Sequence, residues 1–139
     1  MSCVFCEIAA GRAPAYIIFR SANVIAFLDQ YPVESGHTLV VPVKHFRDLL
    51  ETPDDILCEL AKVVKLVAGA QVRALGAKGV RVMQNNGSAA GQAIFHVHFH
   101  VIPFYGLPQR EREVLDSSKG ERIAQILSKA LVDAESAKR

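Results

Sequence analysis

The chain has 139 residues, the size of one ordinary domain, and half of them are apolar, enough for a core without staples. A formal net charge of +2, with no basic run longer than Lys138-Arg139, leaves no footprint for nucleic acid, and no stretch of about twenty apolar residues marks a membrane span. The N-terminus lacks the charged region and long apolar segment of a secretory signal, and three cysteines, an odd number, argue against a disulfide framework and for a reducing, cytoplasmic setting.

In chain order, residues 3–10 read as one or two helical turns closed by Gly11. Two apolar runs, residues 15–19 and 24–28, flank the short polar stretch 20–23 and predict a hairpin. Residues 36–41 form a third strand between Pro32 and Pro42. The one long helix spans 53–75. Thr52 suits its N-cap, Pro53 its first position, Asp54 and Asp55 its positive dipole end, and Gly76 its stop. Leu57, Leu60, Ala61, Val64, Val67 and Ala68 give its apolar face, and Cys58 reads as a small buried hydrophobe. Residues 80–84 are a fourth strand and the run 95–103 a fifth. Residues 106–118 are a polar loop. Residues 119–135 are a second helix, with Ile123, Ile126, Leu127, Ala130 and Leu131 inward. The order predicts an α+β fold with an antiparallel sheet covered by a helix, as a single domain over 1–139.

The fifth strand carries His96, His98 and His100 at alternate positions, so three imidazoles share one face while Val97, Phe99 and Val101 line the other. Imidazole serves near neutral pH as nucleophile, acid, base or metal ligand. The plain alternatives are an exposed face without a role, or three ligands of one metal. Just before the run lies a glycine- and amide-rich loop, residues 84–92, whose Gly87 and Gly91 permit close approach of a ligand and whose amides suit a phosphate ester.

Cys3 and Cys6 are spaced to hold one metal ion. Zinc commonly takes two Cys and two His, and His45 and one histidine of the run are candidates for the remainder. Two buried cysteines or a redox pair remain open, although the βαβ setting of a redox Cys-x-x-Cys is missing. Asp29 ends a strand, where it either caps a turn or accepts ribose hydroxyls. Phe27 is then expected on the opposite face, while Phe5 and Ile8 could wall a base, each being equally a plain core position. His37 is by default a core histidine bonded to backbone.

The run His96-Val-His98-Phe-His100 resembles the motif of the histidine triad (HIT) family. So do Phe27-Leu-Asp29, the block from Gly36 through His37 to Pro42, Lys44-His45, and the loop from Gln84 to Gly91-Gln92, in the family's order. The likeness covers about residues 3–105, and with the N-terminal Cys-x-x-Cys it is nearest the Hint-like bacterial branch. It implies a five-stranded antiparallel sheet that pairs into a ten-stranded sheet in a homodimer. It also implies hydrolysis at the α-phosphate of purine nucleotide conjugates through a covalent nucleotidyl-histidine. His98 is then the nucleophile, His100 holds phosphoryl oxygens, and His37 stands beside the site. Asp29, Phe27, Phe5, Ile8, Asn85, Gln92 and Gly91 contact the nucleotide. One structural zinc per chain sits on Cys3, Cys6, His45 and His96. A nucleotidyltransferase or phosphorylase, or a nucleotide-binding adaptor, are the alternatives. Ala93 stands where many relatives have Ser or Thr, leaving the leaving-group preference open, and residues 106–139 lie outside the likeness.

Overall fold

The computed structural model describes residues 3–108 and 111–137; Lys138-Arg139 lies outside them. Helix α1 spans Val4–Ala9, strands β1 and β2 Ile17–Arg20 and Val24–Leu28, and β3 Thr38–Pro42. Helix α2 spans Asp54–Leu75, β4 Gly79–Met83, β5 Phe99–Phe104, and helix α3 Ser117–Ala137. The strands form one sheet in the order β1-β2-β3-β5-β4, every pair antiparallel.

The predicted hairpin is β1–β2, with Ile17 opposite Phe27. Strands β2 and β3 are buried throughout because the sheet is covered on both faces. Val24, Ala26 and Leu28 of β2 join α2 and α3 in one core. Ile25 and Phe27, with Leu39 and Val41 of β3, join Phe5, Ile8 and Ala9 of α1 in the second. The fold is thus three-layered, and the small α1 layer carries the site.

Several expectations shift. Helix α2 begins one residue late: Pro53 is extended at the cap position, and the Thr52 hydroxyl bonds the Asp48 carbonyl in the preceding 3-10 turn. Its buried face is Leu60, Val63, Val64, Val67, Ala70 and Gln71, with Ala61 exposed and Cys58 on the surface. That apolar face packs against the sheet and α3 within the chain. In α3, Ala124 is buried and Ile126 is 39% exposed. Strand β5 starts only at Phe99, so His96, in a bend, and His98 precede it in irregular chain anchored by the Val97 amide on the Phe46 carbonyl. The alternation survives nonetheless: Val97 and Val101 are buried, and Phe5 lies edge-on to both His96 and His98.

Gln71, fully buried on α2, donates from Nε2 to the Gly36 and Val101 carbonyls, tying the turn before β3 to β5. Gly36 itself has φ +97°, and a Cβ there would fall 2.6 Å from Leu75 Cδ1. That positive φ favours glycine, and a Cβ there would push the Leu75 side chain aside. The residue Gly36 positions is His37.

Candidate active site

On the α1 face a cleft of about 590 Å³ opens between α1, the end of β2, the amide loop and the histidine run. Phe5, Ile8, Ala15, Leu39 and Ile94 make one apolar wall. Asp29, Asn85, Gly91, His98 and His100 bring polar atoms to it. Phe27 lines the same cleft and meets Phe5 edge-on at 5.4 Å, so it shares Asp29's side of the sheet rather than the opposite one, as residues two apart in a strand must.

Hydrogen bonds settle the proton positions. His98 Nδ1 lies 2.8 Å from the carbonyl of His96. A carbonyl only accepts, so Nδ1 holds the proton and Nε2 carries the lone pair. The Val33 amide donates to His37 Nδ1 at 3.0 Å, so the His37 proton is on Nε2, which donates to His100 Nδ1 at 3.0 Å. His100 in turn keeps its proton on Nε2. Burial holds His98 and His100 below the ordinary histidine range and brings the almost fully buried His37 down to about 4, against the pull of Asp29. The His98 and His100 rings stand 5.0 Å apart, closer than two residues of ideal strand would place their backbones. The result is a neutral imidazole with an unprotonated nitrogen, beside a second neutral imidazole with an N–H to offer.

Asp29, His37 and His100 also approach one another closely enough to suggest a metal site. The tautomer argues otherwise: with Nδ1 taken by the Val33 amide, His37 Nε2 holds a proton and has no lone pair for an ion. Asp29 Oδ1 accepts from the Tyr31 amide at 2.8 Å, and its Oδ2 lies 3.5 Å from His37 Nε2.

Cys3, Cys6, His45 and His96 do fit a cation. Their four donor atoms all lie within 4.8 Å of one another. His96 Nδ1 is 3.4 Å from Cys3 Sγ and 3.5 Å from Cys6 Sγ, and His45 Nδ1 is 3.4 Å from Cys6 Sγ. The edge between S and N in a tetrahedral zinc centre is about 3.6 Å from the usual bond lengths. Buried His96 donates Nε2–H to the Pro42 carbonyl at 2.8 Å, which aims the Nδ1 lone pair at the thiols, the usual outer support of a ligating histidine. Burial and the neighbouring Cys3 push the Cys6 thiol up to about 11, as expected of two thiols without a cation between them.

Gln92 departs from its expected role. Its Oε1 accepts from the Gly87 amide, and its Nε2 donates to the Arg47 and Ile94 carbonyls, so this buried amide ties the loop to the chain at Arg47. Gly91, at φ +93°, turns the chain back with room for the Asn85 amide beside it. The sequence reading missed Arg112 and Tyr31 on the cleft rim. Arg112 reaches there from the aperiodic segment after β5 and donates from Nε and Nη2 to the Tyr31 carbonyl.

The profile of the HIT domain family matches residues 10–107. A zinc-bound histidine triad family protein from Mycobacterium smegmatis superposes with a TM-score of 0.89, at 39% identity, over 99% of this chain and 98% of that one. Adenosine 5′-monophosphoramidase of Schizosaccharomyces pombe is 40% identical over 103 residues, 74% of each chain. The adenylylsulfatase HINT3 of Arabidopsis thaliana is 37% identical over 120 residues, 86% of this chain and 58% of that protein.

Proposed function

The chain belongs to the HIT domain family, and from that premise we propose that it is a nucleotide hydrolase acting at the α-phosphate of purine nucleotide conjugates. The substrates would be nucleoside phosphoramidates, adenylates such as adenylyl sulfate, or dinucleoside polyphosphates. The names of two relatives, an adenylylsulfatase and an adenosine 5′-monophosphoramidase, support an adenosine 5′-phosphoryl group as the part recognised. The observation that carries the reading is His98: its Nδ1–H is fixed by the His96 carbonyl, so its Nε2 lone pair is available at the cleft.

In the first half-reaction that lone pair attacks phosphorus. A P–N bond forms to the imidazole and the bond to the leaving group breaks, the electron pair departing with it. Water then displaces His98 and releases the nucleoside monophosphate, so one difficult displacement becomes two easier ones. His100 presents Nε2–H to the phosphoryl oxygens as charge develops. His37 is a positioning residue that sets the His100 tautomer. The Asp29 carboxylate takes ribose hydroxyls, Phe5, Phe27 and Ile8 pack the base, and Asn85 and Gly91 border the phosphate.

Cys3, Cys6, His45 and His96 would hold one zinc ion per chain in a closed, structural centre, with four protein ligands and no position for substrate. What it supplies is the attachment of α1, and so of Phe5, to the chain two residues before His98. We further propose a homodimer joined along β4. That strand is the outer one beside β5, with Val82 49% and Met83 38% exposed, an edge that soluble proteins cover. Sedimentation should then give twice the 15.2 kDa chain mass. The unpaired thiols of Cys3, Cys6 and Cys58 fit a reducing cytoplasm.

Rapid quench with adenosine 5′-phosphoramidate should trap a nucleotidyl adduct on His98. His98→Ala should abolish turnover while adenosine monophosphate still binds. A variant of near-normal activity, with no histidine adduct in the parent protein, would refute the mechanism. Adenylyl transfer to added phosphate in place of water would identify a phosphorylase instead.

A further inference from the structure

The proposed substrates are anions, yet the imidazoles of the cleft bring no positive charge. His37 and His100 are locked as neutral rings by the chain of bonds from the Val33 amide, and His98 must be unprotonated to attack. Asp29 adds a negative charge. Among the described residues lining the cleft, the one permanent cation is Arg112. Its guanidinium is held in place, with Nε and Nη2 donating to the Tyr31 carbonyl, and Nη1 makes no bond among the described residues. The strap that carries it is fixed a second time, by the Leu115 amide on the Gln30 carbonyl. Arg112 lines the same cleft as His98 and His100, and the Tyr31 carbonyl that holds it lies two residues from Asp29.

We propose that Arg112 is a specificity-determining residue: it makes the site prefer nucleotide conjugates whose leaving group is itself a tetrahedral oxyanion, a sulfate or a further phosphate, over conjugates of neutral amines. This rests on the hydrolase reading above and names its substrate class. A guanidinium with one nitrogen in hand suits a sulfate or phosphate oxygen through a charge-assisted hydrogen bond. In the reaction, the His98 Nε2–P bond forms as the P–O bond to the oxyanion breaks. The electron pair stays on that oxygen, and the group leaves as an anion without taking up a proton. An amine leaving group must instead acquire a proton on nitrogen and gains nothing from a nearby cation.

The test compares the full-length protein with Arg112→Gln and Arg112→Lys on three substrates: adenosine 5′-phosphosulfate, diadenosine triphosphate and adenosine 5′-phosphoramidate. Arg112→Gln should lower kcat/KM about tenfold or more on the first two, the scale of one charge-assisted hydrogen bond, and less than about twofold on the phosphoramidate. Lys should restore most of the loss. A fall confined to the phosphosulfate identifies sulfate as the group read, and one confined to the triphosphate identifies phosphate. Equal losses on all three, or none, overturn the inference. Binding supplies an independent arm: the parent protein should hold adenosine diphosphate more tightly than the monophosphate, and Arg112→Gln should remove that difference. If the parent protein hydrolyses none of the substrates, the hydrolase reading fails and the binding arm alone decides Arg112; an unchanged difference there overturns its role.

Discussion

Lowering the pH from 7 to 4 should remove about 3 kcal/mol of folding stability through His37 alone. The ring is 1% exposed, its Nδ1 takes the Val33 amide proton and its Nε2–H goes to His100. A second proton has no room without breaking the Val33 bond, and burial brings the pKa from 6.5 to about 4, with Asp29 opposing and His100 and Arg112 reinforcing. Each pKa unit is worth about 1.36 kcal/mol, which gives the figure of about 3. The folded value lies below the unfolded one, so between 6.5 and 4 the unfolded chain binds a proton that the folded chain does not. Stability from His37 is complete above 6.5, declines as pH falls through that window, and changes no further below 4. Urea unfolding at several pH values, for the parent protein and for His37→Asn, isolates the effect. The Asn Oδ1 stands where Nδ1 stood and accepts from Val33, while nothing at position 37 titrates. Both proteins keep the same Cys/His cluster, so acid-linked changes there cancel in the difference. The parent curve should fall by about 3 kcal/mol more than the variant's. Parallel curves across the window would refute the buried, neutral imidazole and the tautomer chain built on it.

Two further outcomes follow from the packing and the metal cluster. Gly36→Ala should lower the urea midpoint by about 1–3 kcal/mol equivalent at an unchanged m-value, because alanine is strained at φ +97° and its Cβ meets Leu75; an unaltered midpoint would mean that the turn relaxes freely. Removing metal with a chelator should lower the melting temperature of the parent protein but leave that of Cys6→Ser, lacking one donor of the cluster, nearly unchanged; equal falls would place a metal elsewhere, and no change in either would refute a metal at the cluster.

Much of the site was legible because its chemistry is local in sequence. Alternation alone put His96, His98 and His100 on one side. Ligand type offered Cys3, Cys6, His45 and one histidine of the run, the family resemblance singled out His96, and the structure brings these four together. The packing was harder to read. Phe27 and Asp29 are two apart, so alternation itself puts them on one side of β2, and the expectation of opposite faces miscounted that spacing. On α2 the choice of Val63 over Ala61 is made by α3 and the sheet, which helical spacing alone does not reveal. Cys58 is a small residue equally at home inside or out, and here it is outside. Gln92 looked like a ligand amide because its type fits phosphate, whereas its three bonds go to backbone at Gly87, Arg47 and Ile94. Arg112 sits in a stretch without periodicity, and only the tertiary fold brings it beside Tyr31.

The bond that orients His98 is made by the main chain of His96, while the side chain of His96 belongs to the Cys/His cluster. The two duties are therefore separable by substitution. Replacing the imidazole at position 96 removes a ligand but cannot remove the carbonyl, since every residue type carries one. Over evolutionary time a lineage could abandon the cysteines and give position 96 a new partner, and the nucleophile would still be presented in the same protonation form. Divergence at the N-terminus and constancy at the reacting nitrogen are compatible because one is written in side chains and the other in backbone.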